Sequence, residues 1–203
     1  MTAGAIDVAL AAGPDGLADR LLELTESQWF DRKSVRIEPR KLAESIVAFA
    51  NADGGTIVVG LSGGKTEGVD SDPKHLNDLM QAAVDFTNPT VPTQLRLYEC
   101  VRADGQHDHL LVIEVPPGRN VYATNRDEVY LRLGDESRKL SFAQRRELFY
   151  DKRQSSFESE RTELRMGDAD QALLDNYVAV LDALDAVRLL EARELAVDDH
   201  LTV

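Results

Sequence analysis

The order of apolar patterns in this 203-residue chain predicts an α+β domain. It should contain a mixed, partly antiparallel sheet flanked by helices, with a C-terminal helical extension. Two strand-like runs meet at Asp104 and Gly105, and Asp-Gly tolerates the positive φ angles of a tight hairpin turn. Helix and strand patterns do not alternate regularly, which argues against a doubly wound fold. Hydrophobic residues make up 43% of the chain, so it can bury a core that offsets its ordering entropy.

Each expected element has a local signal. Proline suits the first position of a helix, where its missing N–H has no partner to lose, and Asp or Ser before a helix caps its first turn. Ser141 followed three residues later by Gln144 is a capping box. In chain order the signals predict a flexible leader over 1–14, a helix from Asp15, a strand over 28–37, a helix from Pro39 to Asn51, a strand over 56–61, a helix from Asp72 and Pro73, hairpin strands over 94–102 and 109–115, a strand over 128–133 and a helix to Lys152.

The last quarter of the chain has a different pattern. After a domain over 15–155, residues 156–168 lack apolar periodicity and are expected to form a linker. Residues 169–203 are expected to form an acidic helical extension or the start of a further domain. Apolar residues over 173–190 recur in three- and four-residue steps, which is typical of a helical seam. This seam either packs on its own domain or contacts a partner helix, for which a homodimer is one arrangement. A dimerisation or protein-interaction module is therefore one alternative function of the chain.

The charge distribution limits the kinds of partner that the chain can bind. The formal net charge of -13 excludes a general binder of polyanions, because the field of the whole chain repels phosphate at long range. Residues 156–203 hold four Lys/Arg against twelve Asp/Glu, whereas residues 1–155 hold 19 against 24. Contact with DNA or RNA therefore requires a local basic face within the first part of the chain.

Composition excludes several further classes of protein and of site. No run approaches the ~20 apolar residues of a membrane helix, and the N-terminus has no signal-peptide pattern, so we expect a soluble, cytoplasmic protein without membrane contact. One cysteine and four histidines supply neither an internal disulfide nor a structural zinc site. His107 and His109 flank the hairpin turn and are expected to be exposed.

Three motifs occur in a fixed order. They read ESQWFDRKS at 26–34, IVAFANADGGTIVVGL at 46–61 and VYLRLGDES at 129–137. Together they resemble the Schlafen AlbA-like (AlbA_2) domain family, which is common at the N-terminus of bacterial transcriptional regulators. The resemblance covers about 17–153 and implies a non-enzymatic DNA-binding module that acts in transcription regulation.

Basic side chains near these motifs are the candidate phosphate contacts. They are Lys33, Arg36, Lys65, Arg132, Arg138 and Lys139. We expect Arg132 to project from the sheet face opposite Leu131 and Leu133, where its guanidinium could bind phosphate in a bidentate way. The Gly54-Gly55 turn has two interpretations: its N–H groups hold phosphate, or it serves only a tight helix-to-strand connection. Trp29, Tyr122 and Tyr130 are candidates for stacking on bases, with a core position as the alternative.

The same resemblance raises a metal-dependent ribonuclease acting on tRNA or rRNA as the alternative. Relatives that cleave RNA use two acids at a five-residue spacing, matched here by Glu26 and Asp31, with a third acid after the glycine-rich strand. Such carboxylates would hold Mg²⁺ or Mn²⁺. Ser62 and Gly63 occupy the third position, so we expect no catalytic activity and no cofactor.

Overall fold

The computed structural model describes residues 3–158, 161–165, 196–197 and 200–202, and side-chain environments over residues 4–152. The chain divides into two compact units, Met1–Arg146 and Glu147–Val203. The first unit holds all three motifs. The helix expected over 173–190 lies outside the described residues.

Helices and strands follow one another without βαβ repetition. The helices are α1 (Ala3–Leu10), α2 (Pro14–Glu23), α3 (Pro39–Asn51), α4 (Pro73–Met80), α5 (Ala82–Phe86) and α6 (Phe142–Glu158). The strands are β1 (Phe30–Lys33), β2 (Gly55–Val59), β3 (Leu61–Ser62), β4 (Lys65–Thr66), β5 (Thr87–Asn88), β6 (Gln94–Val101), β7 (His107–Val115), β8 (Ala123–Thr124), β9 (Tyr130–Leu133), β10 (Glu136–Lys139), β11 (Arg161–Arg165), β12 (Ala196–Val197) and β13 (His200–Thr202).

The main sheet has four strands in the order β1-β2-β7-β6. Strand β1 runs parallel to β2, whereas β2 and β7, and β7 and β6, are antiparallel. Strands β6 and β7 form the hairpin expected at Asp104 and Gly105, and Gly105 has a φ of 80°. This arrangement confirms the α+β class with a mixed, partly antiparallel sheet flanked by helices.

The central strand β2 is buried on both faces, and its successive side chains point to opposite sides of the sheet. Ile57 and Val59 pack into a core with α3, α4 and α5. Val58 and Val112 pack into a second core with α1 and α2. The central β2 therefore lies between two helical layers.

Several local signals have the expected geometry. Helix α3 begins at Pro39. The carboxylate of Asp72 accepts a hydrogen bond from the backbone N–H of His75 at 3.0 Å and caps α4. At the start of α6, the backbone N–H of Ser141 donates to the Gln144 side chain at 3.0 Å, and the Gln144 N–H donates to the Ser141 hydroxyl at 3.4 Å.

Three segments differ from expectation. Residues 3–10, placed in a flexible leader, form α1, because Ile6 and Ala9 lie on one side of the helix and are buried in the core shared with α2. The segment 156–168, expected as a linker, contains the end of α6 and strand β11. Strand β11 pairs with β13, a partner about forty residues away that local periodicity cannot indicate. Strand β10 was not expected, and it pairs with β9.

Among the described residues, no helix is long and apolar enough to span a membrane.

The close approach of Gly68 to Asp108 gives a stability prediction. Gly68 has a φ of 73°, and a Cβ there would collide with the Asp108 carboxylate, whereas Gly63, with a φ of 54°, has open space around it. Gly63→Ala should cost about 1–2 kcal/mol of unfolding free energy, from the left-handed backbone alone. Gly68→Ala should cost about 1–3 kcal/mol more, because the collision also disturbs buried hydrogen bonds. Urea unfolding followed by Trp29 fluorescence measures both values, and equal losses would contradict the prediction.

Candidate functional site

Arg132 joins the three sequence motifs in the interior. Its side chain is 1% exposed, so it does not project into solvent as a phosphate contact, and that expectation is wrong. Its Nε and Nη2 donate to the carbonyl of Ser27 at 3.0 and 2.9 Å, and Nη2 also donates to the carbonyl of Phe30 at 3.1 Å. The guanidinium carbon lies 4.8 Å from the centre of the Phe49 ring. Arg132 therefore connects β9 to the first motif and to α3.

The inward position of Arg132 follows from the packing of β9. This strand pairs only with β10 among the described strands and contacts α3, so one of its faces must be covered by that helix. Tyr130 and Arg132 occupy the covered face, whereas Leu133 is 45% exposed. Alternation places Arg132 opposite its leucine neighbours, as expected, but the arginine face is the buried one.

Asp31 supplies the compensating charge. It is 0% exposed, and its Oδ2 lies 2.8 Å from Nζ of Lys33 and 3.4 Å from Nη1 of Arg132. Neither carboxylate oxygen has a well-aligned hydrogen-bond donor among the described residues. A buried carboxylate is tolerated here because two cations surround it.

Asn51 and the Gly54-Gly55 turn are also structural. The Asn51 side chain bonds to the carbonyls of Tyr122 and Tyr130 and to the N–H of Tyr122, each at 2.8 Å. The N–H of Gly54 donates to the carbonyl of Phe49 at 3.0 Å. A Cβ on Gly55 would lie 2.5 Å from the Phe49 ring. The turn thus serves a tight connection, and the N–H of Gly54 is already occupied.

The expected stacking aromatics divide into two groups. Tyr122 and Tyr130 are each only 8% exposed, so they are core residues rather than stacking surfaces. Burial, followed by nearby carboxylates, raises the pKa of Tyr130 above its ordinary value. Trp29 is 39% exposed.

Glu26 and Asp31 do not form a shared metal site. Asp31 and Lys33 lie on the α3 face of β1, whereas Glu26 contacts the main chain of Arg32 at 3.2 Å and its side chain at 3.8 Å. Residues 31 and 32 point to opposite faces of the strand. Asp31 is already matched by Lys33 and Arg132, and the described residues contain no cluster of three His, Cys, Asp or Glu suited to a metal. The side chains present therefore do not fit the divalent ion of the ribonuclease alternative.

An open groove of about 500 Å³ brings together two of the expected phosphate contacts, Arg36 and Lys65. Arg36 lies in the connection between β1 and α3, and Lys65 begins β4. The groove is also lined by Arg102, which follows β6, and by His75 on α4.

Local hydrogen bonds hold these walls in place. The Glu67 carboxylate accepts from the Ser34 hydroxyl at 2.7 Å and from the Val35 N–H at 2.9 Å, which fixes the segment before Arg36. Strands β3 and β4 form a hairpin with two residues of positive φ, Gly63 and Gly64, so that Lys65 follows the turn directly.

Some of the candidate cations form ion pairs and others do not. Lys33 Nζ lies 2.8 Å from Asp31 Oδ2, Arg138 Nε lies 2.8 Å from Glu136 Oε2, and Lys139 Nζ lies 2.6 Å from Glu128 Oε1. Arg36 and Lys65 are both exposed and form no ion pair with any described residue. Arg138 and Lys139 lie on β10 and do not line the groove. The structure thus leaves Arg36 and Lys65 as the two unpaired cations among the six candidates.

Arg102 and His75 were missed by the sequence analysis. His75 Nε2 bonds to the carbonyl of Val35 at 2.9 Å, and Arg102 forms ion pairs with Asp104 at 3.2 Å and Asp108 at 3.5 Å. Neither residue belongs to a motif. The only local signal was that Arg102 precedes the Asp-Gly turn, which fixes the position of its backbone.

Asp108 secures the segment after β4. Its Oδ1 accepts from the N–H groups of Val69 at 2.9 Å, Asp70 at 3.0 Å and His109 at 2.7 Å. Burial acts to raise the pKa of Asp108, but the three N–H donors and Arg102 outweigh it and hold the pKa below its ordinary value. His109 is half-buried and bonds to Asp70 at 2.7 Å, whereas His107 is exposed as expected.

The first unit is an α+β domain in which β2 lies between two helical layers and Arg132 is buried. The family described as Schlafen, AlbA_2 matches residues 26–141, more than half of the chain, and the chain belongs to this family. Among solved structures, the DIP2311 protein from Corynebacterium diphtheriae is 22% identical, with a TM-score of 0.46, over 86% of this chain and 38% of that chain. This chain thus spans less than two fifths of the length of that protein. No curated protein matches the chain.

The Arg132–Asp31 pair gives a second stability prediction. Arg132→Met leaves Asp31 buried without one of its cations and should cost about 3–5 kcal/mol of unfolding free energy. Adding Asp31→Asn removes the uncompensated charge and should recover about 1–3 kcal/mol of that loss. Urea unfolding of the four proteins in this double-mutant cycle measures the coupling. Strictly additive losses would show that the two side chains do not interact.

Asp108 gives a prediction for acid stability. Because its pKa is depressed in the folded state, its charge stabilises the fold above the unfolded pKa of about 3.9 and this contribution is lost as the pH falls through the folded pKa. Asp108→Asn should cost about 1 kcal/mol at neutral pH, where charged acceptors form the stronger hydrogen bonds. The gap between wild type and variant should narrow as urea unfolding is repeated at progressively lower pH. A gap that is constant with pH would contradict the assignment.

Proposed function

We propose that this chain is a non-enzymatic DNA-binding module of a bacterial transcriptional regulator. The groove at Arg36 and Lys65 is the proposed contact surface for phosphate. One observation carries the proposal: two exposed cations from separate segments line the same groove, and neither forms an ion pair with a described residue.

The charge balance of the groove supports an anionic ligand. Its two lining carboxylates, Glu67 and Asp72, already accept hydrogen bonds from the protein itself. Residues 156–203 carry eight of the thirteen net negative charges, so residues 1–155, which include the groove, carry a net charge of only -5.

The candidate cations that already form ion pairs have a smaller proposed role. Lys33, Arg138 and Lys139 each have a carboxylate partner, so contact with DNA must compete with an existing ion pair. Dimerisation through residues 173–190 and a cytoplasmic location stay predictions from the sequence.

Paired charge variants test the proposal. Arg36→Ala with Lys65→Ala should weaken binding of a labelled DNA duplex at low salt by roughly 100-fold, about tenfold for each lost phosphate contact. Arg138→Ala with Lys139→Ala is the matched control, because it removes the same charge from β10, and it should weaken binding by less than about threefold. Fluorescence anisotropy on the full chain measures all three affinities.

Two outcomes contradict the proposal. Equal binding by wild type and the groove variant would remove the groove as the contact surface, and a larger loss in the control would place the contact on β10. An RNA duplex of the same sequence serves as a parallel ligand. Binding to RNA at least tenfold tighter than to DNA would replace DNA as the ligand.

A further inference from the structure

We infer that the groove holds two neighbouring backbone phosphates, one at Arg36 and one at Lys65, and does not read bases. The inference rests on the proposed function and specifies how that site recognises DNA. It predicts binding that is independent of sequence at this groove.

The described groove lining lacks amide and aromatic side chains. Bases are recognised by Asn and Gln amides, by Arg or Lys that bind guanine, and by aromatic rings that stack on them. Arg36 is a free guanidinium that can bind either a phosphate or guanine, so the comparison of A·T with G·C duplexes decides between these two ligands. The lining contains no Asn, Gln, Phe, Tyr or Trp, and its imidazole, His75, is tied to the carbonyl of Val35. The lining does offer the hydroxyl groups of Ser62, Thr66 and Ser71, which are typical phosphate contacts.

Arg102 does not add a third phosphate contact. Its Nη2 lies 3.2 Å from Asp104 and its Nη1 lies 3.5 Å from Asp108, so both arms of its fork face carboxylates. A guanidinium held in this way cannot present two free N–H groups to guanine or phosphate without losing both ion pairs. The number of uncompensated cations in the groove is therefore two.

Among the described residues of the first unit, two aromatic side chains are exposed and neither lines the groove. Trp29 is 39% exposed and Phe142 is 81% exposed. Base stacking at those positions would not involve Arg36 or Lys65. Recognition within the groove thus depends on charge and hydroxyl groups, which are the usual contacts to the sugar-phosphate backbone.

The salt dependence of binding reports how many phosphates the protein neutralises. For B-DNA, the slope of log K against log salt is about -0.9 per neutralised phosphate, so the full chain should give a slope of about -1.8. Arg36→Ala and Lys65→Ala should each reduce it to about -0.9. Arg20→Ala removes one exposed charge from α2, which packs on the other sheet face from α4, and should leave the slope at about -1.8.

Sequence independence is measured with the same assay. Duplexes of equal length containing only A·T or only G·C pairs should bind the wild type within about twofold of each other, since each base-specific contact would add about 1–3 kcal/mol of discrimination. A preference above about tenfold, which corresponds to roughly 1.4 kcal/mol, would overturn the inference.

The outcomes separate this inference from the proposed function. If Arg36→Ala and Lys65→Ala bind as tightly as wild type, the proposed function itself fails. If both variants bind more weakly but the duplexes differ more than tenfold, or the wild-type slope is steeper than about -3, only the two-phosphate inference fails. A slope that changes equally with Arg20→Ala would assign the effect to net charge rather than to the groove.

Discussion

The buried guanidinium of Arg132 is the interaction on which the domain depends. It donates to the carbonyls of Ser27 and Phe30, contacts the Phe49 ring and lies beside the Asp31 carboxylate. These contacts join β9, the first motif and α3. A charge without solvent is costly, so the fold retains Arg132 only because oxygen atoms and a carboxylate surround it. Removing any one of these partners leaves an unmatched polar group in the core.

The three motifs therefore define the architecture rather than the ligand. Asn51 anchors the segments at Tyr122 and Tyr130, and Gly55 admits the Phe49 ring. The groove cations, by contrast, come from outside the motifs, at Arg36 and Lys65. In this chain, the motif residues form the scaffold, and residues outside the motifs supply the cations that face the groove.

The groove depends on the scaffold through a small number of hydrogen bonds. Glu67 holds the segment before Arg36, and Asp108 holds the backbone from Val69 to Asp70. Both carboxylates accept hydrogen bonds from the backbone N–H groups of these segments, which fixes the position of the walls.

The sequence by itself determined the α+β class, the hairpin at Asp104 and Gly105, the helix starts at Pro39 and Pro73 and the family, because these features depend on local backbone preferences and on short motifs. It also named Arg36 and Lys65. Only the tertiary structure decided that Arg132 faces inward, and that Glu26 contacts Arg32 whereas Asp31 is buried against Lys33 and Arg132. Alternation along a strand tells which residues share a face, but burial of that face depends on which helix packs against it. Residue spacing does not indicate which helix makes that contact.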